Sequence, residues 1–245
     1  MDPAYLAVHM EEDTRHWWFR GRLAVLLAVL RRALPPRRVR LLELGCGTGN
    51  VLAALGGFGE AVGMEAHPDL VAAARAAGLD ARPGRLPAEL PVPDGWAEAV
   101  LLLDVLEHLD DDAAGLAAAR RALAPGGLLV VTVPAYRWLW SGHDVALGHR
   151  RRYTAGVLAR RVGEAGFAVE RVSYFNTLLF PVVAAVRAWK RLVGARGHDL
   201  SRPPEPWNRA LERVFALERH LVPRLALPFG SSLLLLARRS GEASP

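Results

Sequence analysis

The sequence Leu41-Leu42-Glu43-Leu44-Gly45-Cys46-Gly47-Thr48-Gly49-Asn50 decides the fold. It begins with an apolar run of strand length and continues with glycines at alternate positions, Gly45, Gly47 and Gly49. Glycine has no Cβ, so the backbone can bend sharply there and a ligand can approach it closely. A helix that begins near Asn50 directs its free N–H groups at the same place. The stretch therefore predicts a strand, a turn and a helix that together cradle a small molecule.

The spacing of the glycines distinguishes between classes of nucleotide-binding loop. A dinucleotide fingerprint, Gly-x-Gly-x-x-Gly, needs a third glycine where Asn50 stands, and the absence of a following Lys-Ser or Lys-Thr pair excludes a P-loop. Glu43 lies two residues before the first glycine. The pattern Glu-x-Gly-x-Gly-x-Gly resembles the first motif of the class I S-adenosylmethionine (SAM) methyltransferases. This resemblance implies that SAM is the cofactor.

Two later segments extend the resemblance. The residues from Asp104 to Leu109 are similar to the Asp-x-Leu-Glu-His-Leu segment of small-molecule methyltransferases, including the quinone-biosynthesis group. A Leu-x-Pro-Gly-Gly sequence, residues 123–127, precedes the predicted fifth strand, as it does in the family. The resemblance covers residues 39–168 well. It implies an α/β fold with a doubly wound, Rossmann-like sheet of seven mostly parallel strands, the last of them antiparallel.

We predict a single SAM-methyltransferase domain over residues 1–245. Its predicted parts are an N-terminal helical lid (1–38), a cofactor-binding core (39–175), a helical insertion before the last strand (176–228), and the last strand with the tail (229–245). The insertion is apolar and basic, and three interpretations of it stay open. It could form a homodimer contact, cover a pocket for a large apolar substrate, or touch a membrane surface.

The composition excludes several classes of protein. The chain has 245 residues, of which 51% are hydrophobic, so it can bury a sizeable core. Its one cysteine, Cys46, permits neither an intrachain disulfide nor a cysteine metal cluster. The N-terminus has no signal-peptide pattern, and no apolar run reaches membrane-spanning length, so we expect a cytoplasmic protein. The net charge of +6 is compatible with anionic partners, but much of it comes from arginines scattered over predicted helices.

The cofactor contacts are predicted from strand ends and from the resemblance. Glu65 closes the predicted second strand, where a carboxylate is suited to the two ribose hydroxyls. The family resemblance implies that Glu43 holds the amino group of SAM and that Arg20, or Arg22, reaches its carboxylate. Relatives often carry an aspartate for the adenine at the position of Arg85, so a backbone contact from the next residue is the alternative. The full predicted set is Arg20, Glu43, Gly45, Cys46, Gly47, Gly49, Glu65, Ala66, Arg85, Leu86, Asp104, Val105 and His108.

The polar segment from Tyr136 to Tyr153 follows the fifth strand and is predicted to lie on the ligand side of the sheet. His143 with Asp144 is one candidate general base with its orienting carboxylate, and His149 is a second candidate. We predict no metal site, because two histidines are too few ligands. The predicted substrate contacts are Trp18, Trp138, Trp140, Arg150, Arg151, Arg152 and Tyr153.

The three consecutive arginines of this segment have two interpretations. They could clamp a carboxylate or phosphate of the acceptor in bidentate fashion, or they could form a salt-bridged turn before the next helix. The predicted reaction is methyl transfer from SAM to an oxygen, nitrogen or carbon of a small molecule, with an anionic group on the acceptor left open.

Two alternatives to a small-molecule methyltransferase remain. A nucleic-acid methyltransferase is favoured by the charge, but the Asn/Asp-Pro-Pro-aromatic sequence common in enzymes that methylate nucleic-acid amino groups is missing. The other alternative is a non-catalytic SAM-binding protein at a membrane surface. We also leave open whether the chain forms a homodimer.

Overall fold

The computed structural model describes Val8, residues 10–192 and residues 202–241. Most of the predicted linker at 194–206, the first seven residues of the predicted lid and the end of the tail, residues 242–245, lie outside the described residues. No helix among the described residues is long and apolar enough to cross a membrane.

Seven strands form one sheet in the order β3-β2-β1-β4-β5-β7-β6. The strands are β1 (Val39–Leu44), β2 (Gly59–Glu65), β3 (Ala81–Pro83), β4 (Ala97–Leu103), β5 (Leu123–Pro134), β6 (Phe167–Phe175) and β7 (Ser232–Arg239). β7 pairs antiparallel with both β5 and β6, whereas the pairs from β3 to β5 are all parallel. The predicted fold class is therefore confirmed. The strand order reverses between β1 and β4, and ligands of such sheets bind at the carboxyl ends of the strands at this point.

Helices cover both faces of the sheet. They are α1 (Trp17–Ala33), α2 (Asn50–Leu55), α3 (Pro68–Ala76), α4 (Asp112–Ala122), α5 (Gly142–Leu147), α6 (Ala155–Glu164), α7 (Phe180–Leu192) and α8 (Glu205–Ala216). Side chains alternate between the faces along a strand, so Val100 and Leu102 of β4 join one core cluster while Leu101 and Leu103 join the other. The continuous apolar run of β4 is buried because both faces are covered.

The described part of the predicted N-terminal helical lid is not one continuous helix. The helix α1 begins at Trp17, because the side chain of His16 accepts a hydrogen bond from the backbone N–H of Trp18 at 3.2 Å and caps the helix. A bend in the chain thus separates residues 10–15 from α1.

The helical insertion packs against the N-terminal segment through α8. The Oδ1 of Asn208 accepts a hydrogen bond from the backbone N–H of Trp17 at 2.9 Å. The fully buried ring of Phe215 lies over Gly21 of α1, where a Cβ would come within 2.4 Å of the ring. Gly21 is therefore required for the close approach of the two helices.

Three residues that follow the carboxyl ends of strands have a positive φ although none of them is glycine. Asp104 follows β4 with φ of 58°, Tyr136 lies two residues after β5 with φ of 55°, and Asn176 follows β6 with φ of 54°. Such conformations cost free energy in residues that carry a Cβ, and they concentrate at functional sites. All three lie at the edge of the sheet where the strand order places a ligand.

Candidate functional site

A cavity of about 800 Å³ lies at the carboxyl ends of β1, β2 and β4. Trp18 of α1, Leu179, and Val183 of α7 contribute to its wall. Two groups of residues mark its ends. The glycine-loop end comprises Glu43, Gly45, Gly47 and Glu65, and the histidine end comprises Glu107, His108, His143 and His149.

The glycine loop has the conformation that its sequence predicts. Gly45, Gly47 and Gly49 have φ of 80°, 56° and 90°, which residues with a Cβ rarely adopt. The first two line the cavity. Gly49 does not belong to the lining: it lies against Leu79 and Ala74, where a Cβ would come within 2.4 Å of the Leu79 side chain. Its requirement for glycine is therefore one of packing.

The carboxylate of Glu65 is held by the loop that it faces. Its Oε2 accepts a hydrogen bond from the N–H of Gly47 at 3.1 Å, and its Oε1 accepts bonds from Ala66 and His67, both at 2.8 Å. These bonds fix the carboxylate in the cavity wall. Oε1 already accepts two N–H groups, whereas Oε2 accepts one, so Oε2 is better placed to accept a further bond from a ligand.

Glu43 is a buried carboxylate at the wall of the cavity. Its side-chain Oε2 has no hydrogen-bond partner among the described residues, although the residue is only 2% exposed. Burial raises its pKa to about 8, against the opposing charge of Arg22. Asp13 and Glu65 raise it further. A buried carboxylate without a partner is costly, so this oxygen is ready to accept a cationic or hydrogen-bonding group from a ligand.

Among the arginines of α1, the structure brings Arg22 and not Arg20 to the cavity. Arg20 forms an ion pair with Glu212 at 3.1 Å, on the side of the helix that faces α8, and it is absent from the lining. Arg22 is buried, pairs with Asp104 at 2.6 Å and lies 5.3 Å from the ring of Trp18. The sequence favoured Arg20 for the carboxylate of SAM, but Arg22 is the arginine in position.

The N-terminal segment also contacts the glycine loop directly, a contact that the sequence did not reveal. The hydroxyl of Thr48 donates to the carboxylate of Asp13, and the side-chain amide of Asn50 donates to the backbone oxygen of Asp13 at 2.8 Å. The segment therefore packs against the start of α2 through Asp13.

The histidine end is organised by Asp144, which is completely buried. Its Oδ1 lies 2.8 Å from Nδ1 of His149 and 2.7 Å from Nε of Arg152, and its Oδ2 accepts bonds from Arg152 and from the backbone N–H of Ser141. Burial alone would raise the pKa of Asp144, but these hydrogen bonds outweigh it and hold the pKa well below its ordinary value. The sequence paired Asp144 with His143; the structure shows that it orients His149.

Next to His149 lies a second buried carboxylate. Glu107 is 0% exposed, and neither of its carboxylate oxygens has a hydrogen-bond partner among the described residues. Burial and the nearby charge of Asp104 raise its pKa well above the ordinary value. His108 follows in the same 3₁₀ turn, and its ring centroid lies 4.7 Å from that of His149. The sequence drew attention to His108 but not to Glu107.

The three consecutive arginines divide between the surface and the interior. Arg150 is exposed and pairs with Asp110 at 3.2 Å, and Arg151 pairs with Asp112 at 3.2 Å. Neither lines the cavity, whereas Arg152 does, with its charge already engaged by Asp144. This arrangement corresponds to the salt-bridged turn rather than to the anion clamp.

Only some of the aromatic residues predicted to contact substrate line the cavity. Trp18 lines the cavity, but Trp138, Trp140 and Tyr153 do not. Trp138 is 52% exposed and packs beside Tyr136. The hydroxyl of Tyr153 donates to Asp112 at 2.9 Å in the interior, so its role is structural. The aromatic cluster of the segment therefore supports the loop and does not form the cavity wall.

The remaining predicted cofactor residues also line the cavity. The lining includes Cys46, Ala66, Arg85, Leu86, Asp104, Val105 and His108. The sequence did not single out Asn176 or Arg187, which α7 and the turn before it bring to the same wall. The sequence shows only that both residues belong to an apolar insertion. They are far from the glycine motif along the chain, so the sequence does not reveal that they lie near it in space.

Comparison with known proteins identifies the family. A methyltransferase domain family matches residues 13–172. The chain belongs to this family. The membership confirms the resemblance to class I SAM-dependent methyltransferases, with SAM as the cofactor.

Individual relatives agree with this assignment. A probable SAM-dependent methyltransferase of Mycolicibacterium smegmatis is 35% identical over 160 residues, which cover 63% of this chain and 61% of the relative. A ubiquinone biosynthesis O-methyltransferase of Cereibacter sphaeroides is 36% identical over 107 residues, or 41% of this chain and 43% of that protein. The chain thus spans less than two thirds of the length of these relatives.

The fold is shared with solved structures of lower sequence identity. One is a chain of the complex between the Trm112 methyltransferase activator of Haloferax volcanii and a methyltransferase. It superposes with a TM-score of 0.65 at 20% identity, over 99% of this chain and 97% of that chain. At this identity the similarity shows the fold alone.

Proposed function

We propose that this chain transfers a methyl group from SAM to an oxygen, nitrogen or carbon atom of a small-molecule acceptor. The observation that carries the proposal is the unpartnered Oε2 of Glu43, buried at the wall of a cavity whose other end holds three histidines. An ammonium group such as that of the methionine part of SAM would satisfy this oxygen. The residues present therefore fit the cofactor.

The glycine-loop end holds the cofactor in this proposal. Glu43 accepts a hydrogen bond from its ammonium group, and Arg22 pairs with its carboxylate. Oε2 of Glu65 accepts one from a ribose hydroxyl. The adenine lies beside Arg85 and Leu86. When bound, SAM supplies a methyl group on a sulfonium, and its transfer leaves S-adenosylhomocysteine and releases a proton where the acceptor atom carries one.

The histidine end receives the acceptor. Holding the acceptor in line with the methyl group lowers the barrier, since alignment removes the entropy cost of bringing two reactants together. A hydroxyl acceptor must also lose its proton, and the imidazoles of His143 and His149 line the cavity at this end. Neutral imidazole is suited to this proton transfer near neutral pH.

The wall formed by α7 supports an acceptor with an apolar part. Leu179, just before α7, and Val182, Val183 and Val186 of α7 all line the cavity, which supports the interpretation of the insertion as a pocket cover. An anionic substituent on the acceptor would meet Arg187 on the same helix, because Arg150 and Arg151 lie outside the cavity. The size of the cavity, about 800 Å³, and its partly apolar lining support a small molecule rather than a nucleic-acid strand.

Calorimetric titration of the protein with SAM, S-adenosylhomocysteine and NAD tests the cofactor part of the proposal. We expect both sulfur compounds to bind and NAD not to bind. Turnover is then followed as S-adenosylhomocysteine formed with panels of phenolic, isoprenoid and acidic acceptors. Binding of NAD alone would contradict the proposal, and binding of SAM without turnover by any acceptor would support a non-catalytic SAM-binding protein.

A further inference from the structure

We propose that Glu107, His108 and His149 bind a divalent transition-metal ion at the histidine end of the cavity. One ligand atom from each of the three residues lies within 4.8 Å of the other two. The sequence predicted no metal site because it considered only the histidines of one segment. The fold adds Glu107 and His108 from a different segment, which completes a set of three ligands.

The ligand atoms must draw closer together to hold an ion. Bonds from zinc to imidazole nitrogen and carboxylate oxygen are about 2.0–2.2 Å, so two ligand atoms lie about 3.4 Å apart in a tetrahedral site and about 4.4 Å apart at most on opposite sides of an ion. The observed separations of up to 4.8 Å exceed both values. Because Asp144 holds the ring of His149, metal binding requires the side chains of Glu107 and His108 to move toward it.

His149 is oriented as a metal ligand by its hydrogen bond to Asp144. The ionised Asp144 can only accept hydrogen bonds, so Nδ1 of His149 carries the proton that joins them at 2.8 Å. In the neutral ring, Nε2 therefore has a lone pair, and it lies 4.0 Å from Oε1 of Glu107. Metal-binding histidines in proteins generally have such a partner on the other ring nitrogen.

Glu107 provides the independent observation that a ligand is expected there. It is completely buried, and both carboxylate oxygens lack a hydrogen-bond partner within the described part of the chain. Buried carboxylates are normally paired or bound to a metal, because an unpaired one loses its hydration without compensation. A cation between Glu107 and the two imidazoles would compensate this loss.

The donor set indicates which cations fit. Two imidazole nitrogens with one carboxylate oxygen suit zinc, cobalt, manganese or iron as divalent ions. Magnesium and calcium prefer oxygen ligands alone and are expected to bind more weakly. Three protein ligands leave at least one coordination position open, which is the arrangement of catalytic rather than structural metal sites.

The role of the ion rests on the proposed function, whereas its binding does not. An acceptor hydroxyl at the open position would lose its proton more readily, since a bound divalent ion lowers the pKa of a coordinated hydroxyl. With Nε2 of His149 on the metal, His143 is the imidazole of this end that remains to take the proton. Its ring centroid lies 6.5 Å from that of His149.

Titration with Co²⁺ tests the binding directly. The protein is first treated with a chelator and then titrated in the absence of SAM, and visible absorption and calorimetry report binding. We expect one Co²⁺ per chain, and displacement of it by Zn²⁺. Glu107→Gln and His149→Asn should each weaken Co²⁺ binding at least tenfold. His143→Asn, the matched control from the same cavity wall, should keep the affinity within about twofold.

Thermal unfolding separates a metal ligand from a structural glutamate. A metal raises the unfolding temperature of the state that it binds, so Co²⁺ should stabilise the unaltered protein but not Glu107→Gln. Without metal, Glu107→Gln should unfold at no lower temperature than the unaltered protein, because the carboxylate accepts no hydrogen bond that the substitution would remove. His108→Asn provides a second ligand variant if the first does not fold.

Three outcomes would overturn the metal site: no binding of Co²⁺ or Zn²⁺, equal binding by Glu107→Gln and the unaltered protein, or an equal loss in His143→Asn. SAM titration of the same chelated protein distinguishes this failure from failure of the proposed function. If SAM binds and Co²⁺ does not, the metal site is contradicted and the proposed function is not.

Discussion

The glycine-loop end of the cavity comes largely from one stretch of chain, whereas the histidine end is assembled from distant segments. Glu43 and the glycines occupy residues 43–49, and Glu65 closes the adjacent strand. The histidine end combines Glu107 and His108 with His143 and His149 and receives a wall from α7. The first end can be recognised from a local motif. The second depends on contacts that only the folded chain creates.

Asp144 and Glu43 differ in how their charges are compensated, and Glu107 at the histidine end is like Glu43 in having oxygens without a hydrogen-bond partner. At the histidine end, Asp144 has a full set of hydrogen bonds and a pKa held below its ordinary value. At the glycine-loop end, Glu43 has an oxygen without a partner and a pKa raised to about 8. Asp144 is therefore compensated within the fold, whereas the oxygen of Glu43 is left for a ligand in the proposed function. This contrast predicts that substitution of Asp144 changes the free energy of unfolding, whereas substitution of Glu43 changes the affinity for SAM.

The largest effect is expected for Asp144→Asn. The substitution removes the negative charge opposite Arg152, whose side chain is buried and would lose its counter-ion. Loss of one partner of a buried ion pair costs about 3–5 kcal/mol in the free energy of unfolding. Urea unfolding measures it. Asp110→Asn, at an exposed ion pair with Arg150, is the control and should cost about 1 kcal/mol or less. Equal losses in both variants would show that Asp144 does not organise this end.

A smaller effect, on binding rather than on stability, is expected for Glu65→Ala. Hydrogen bonds to a charged group contribute about 1.5–3 kcal/mol, so we expect SAM affinity to fall about 10- to 100-fold. Glu60→Ala, an exposed glutamate of the same strand, is the matched control and should bind SAM normally. If Glu65→Ala has unchanged affinity by calorimetry, the assignment of Glu65 to the ribose is wrong.

The pH dependence of SAM binding tests whether the carboxyl group of Glu43 loses a proton when SAM binds. Its pKa of about 8 means that the free protein holds a proton there at pH 6–7, and pairing with an ammonium group must release that proton. Binding should therefore strengthen with rising pH, about tenfold between pH 6 and pH 7. The gain should end near pH 8, where an α-amino group itself begins to lose its charge.

The matched variant for this experiment is Glu43→Gln, which has no proton to release. Its SAM affinity should be weaker and nearly flat over pH 6–7. Calorimetry in buffers of different ionisation enthalpy should detect close to one proton released by the unaltered protein and none by the variant. If the SAM affinity of the unaltered protein does not change with pH, Glu43 does not pair with the ammonium group of SAM.

The smallest effect is expected at Arg150. This arginine is exposed, pairs with Asp110 and lies outside the cavity. Arg150→Ala should change the KM for an anionic acceptor by about twofold at most, because exposed ion pairs contribute little. Arg187→Ala should raise this KM more strongly, since Arg187 lines the cavity. If Arg150→Ala raises this KM more than Arg187→Ala does, the consecutive arginines bind the anionic group of the acceptor, as one interpretation of the sequence proposed.

Much of the fold could be predicted because its signals are local. The apolar runs of β1, β4 and β7 have strand length, and the alternate glycines mark the turn after β1. Helix limits were less accurate where side chains decide them. The cap formed by His16, for example, begins α1 at Trp17 although the apolar pattern gives no break there.

The histidine end could be predicted only in part, for a physical reason. The sequence identified His143, Asp144 and His149 as a group, but the choice of partner for Asp144 depends on how α5 turns back at Gly148. Glu107 looked like a member of a family motif, and nothing in the sequence shows that its carboxylate is buried without a partner. Burial and orientation of side chains are properties of the packed chain, and periodicity does not report them.

The left-handed backbone at Asp104, Tyr136 and Asn176 has a consequence for engineering this chain. Each conformation costs of order 1–3 kcal/mol in a residue with a Cβ, and glycine would adopt it with less strain. Replacement by glycine would nevertheless remove contacts: the ion pair of Asp104 with the buried Arg22, the hydrogen bond that Asn176 donates to Ser231, and the stacking of Tyr136 on Tyr174. Laboratory selection for heat resistance should therefore retain these strained residues. Asp104 and Asn176 also line the cavity, so glycine there should slow catalysis as well.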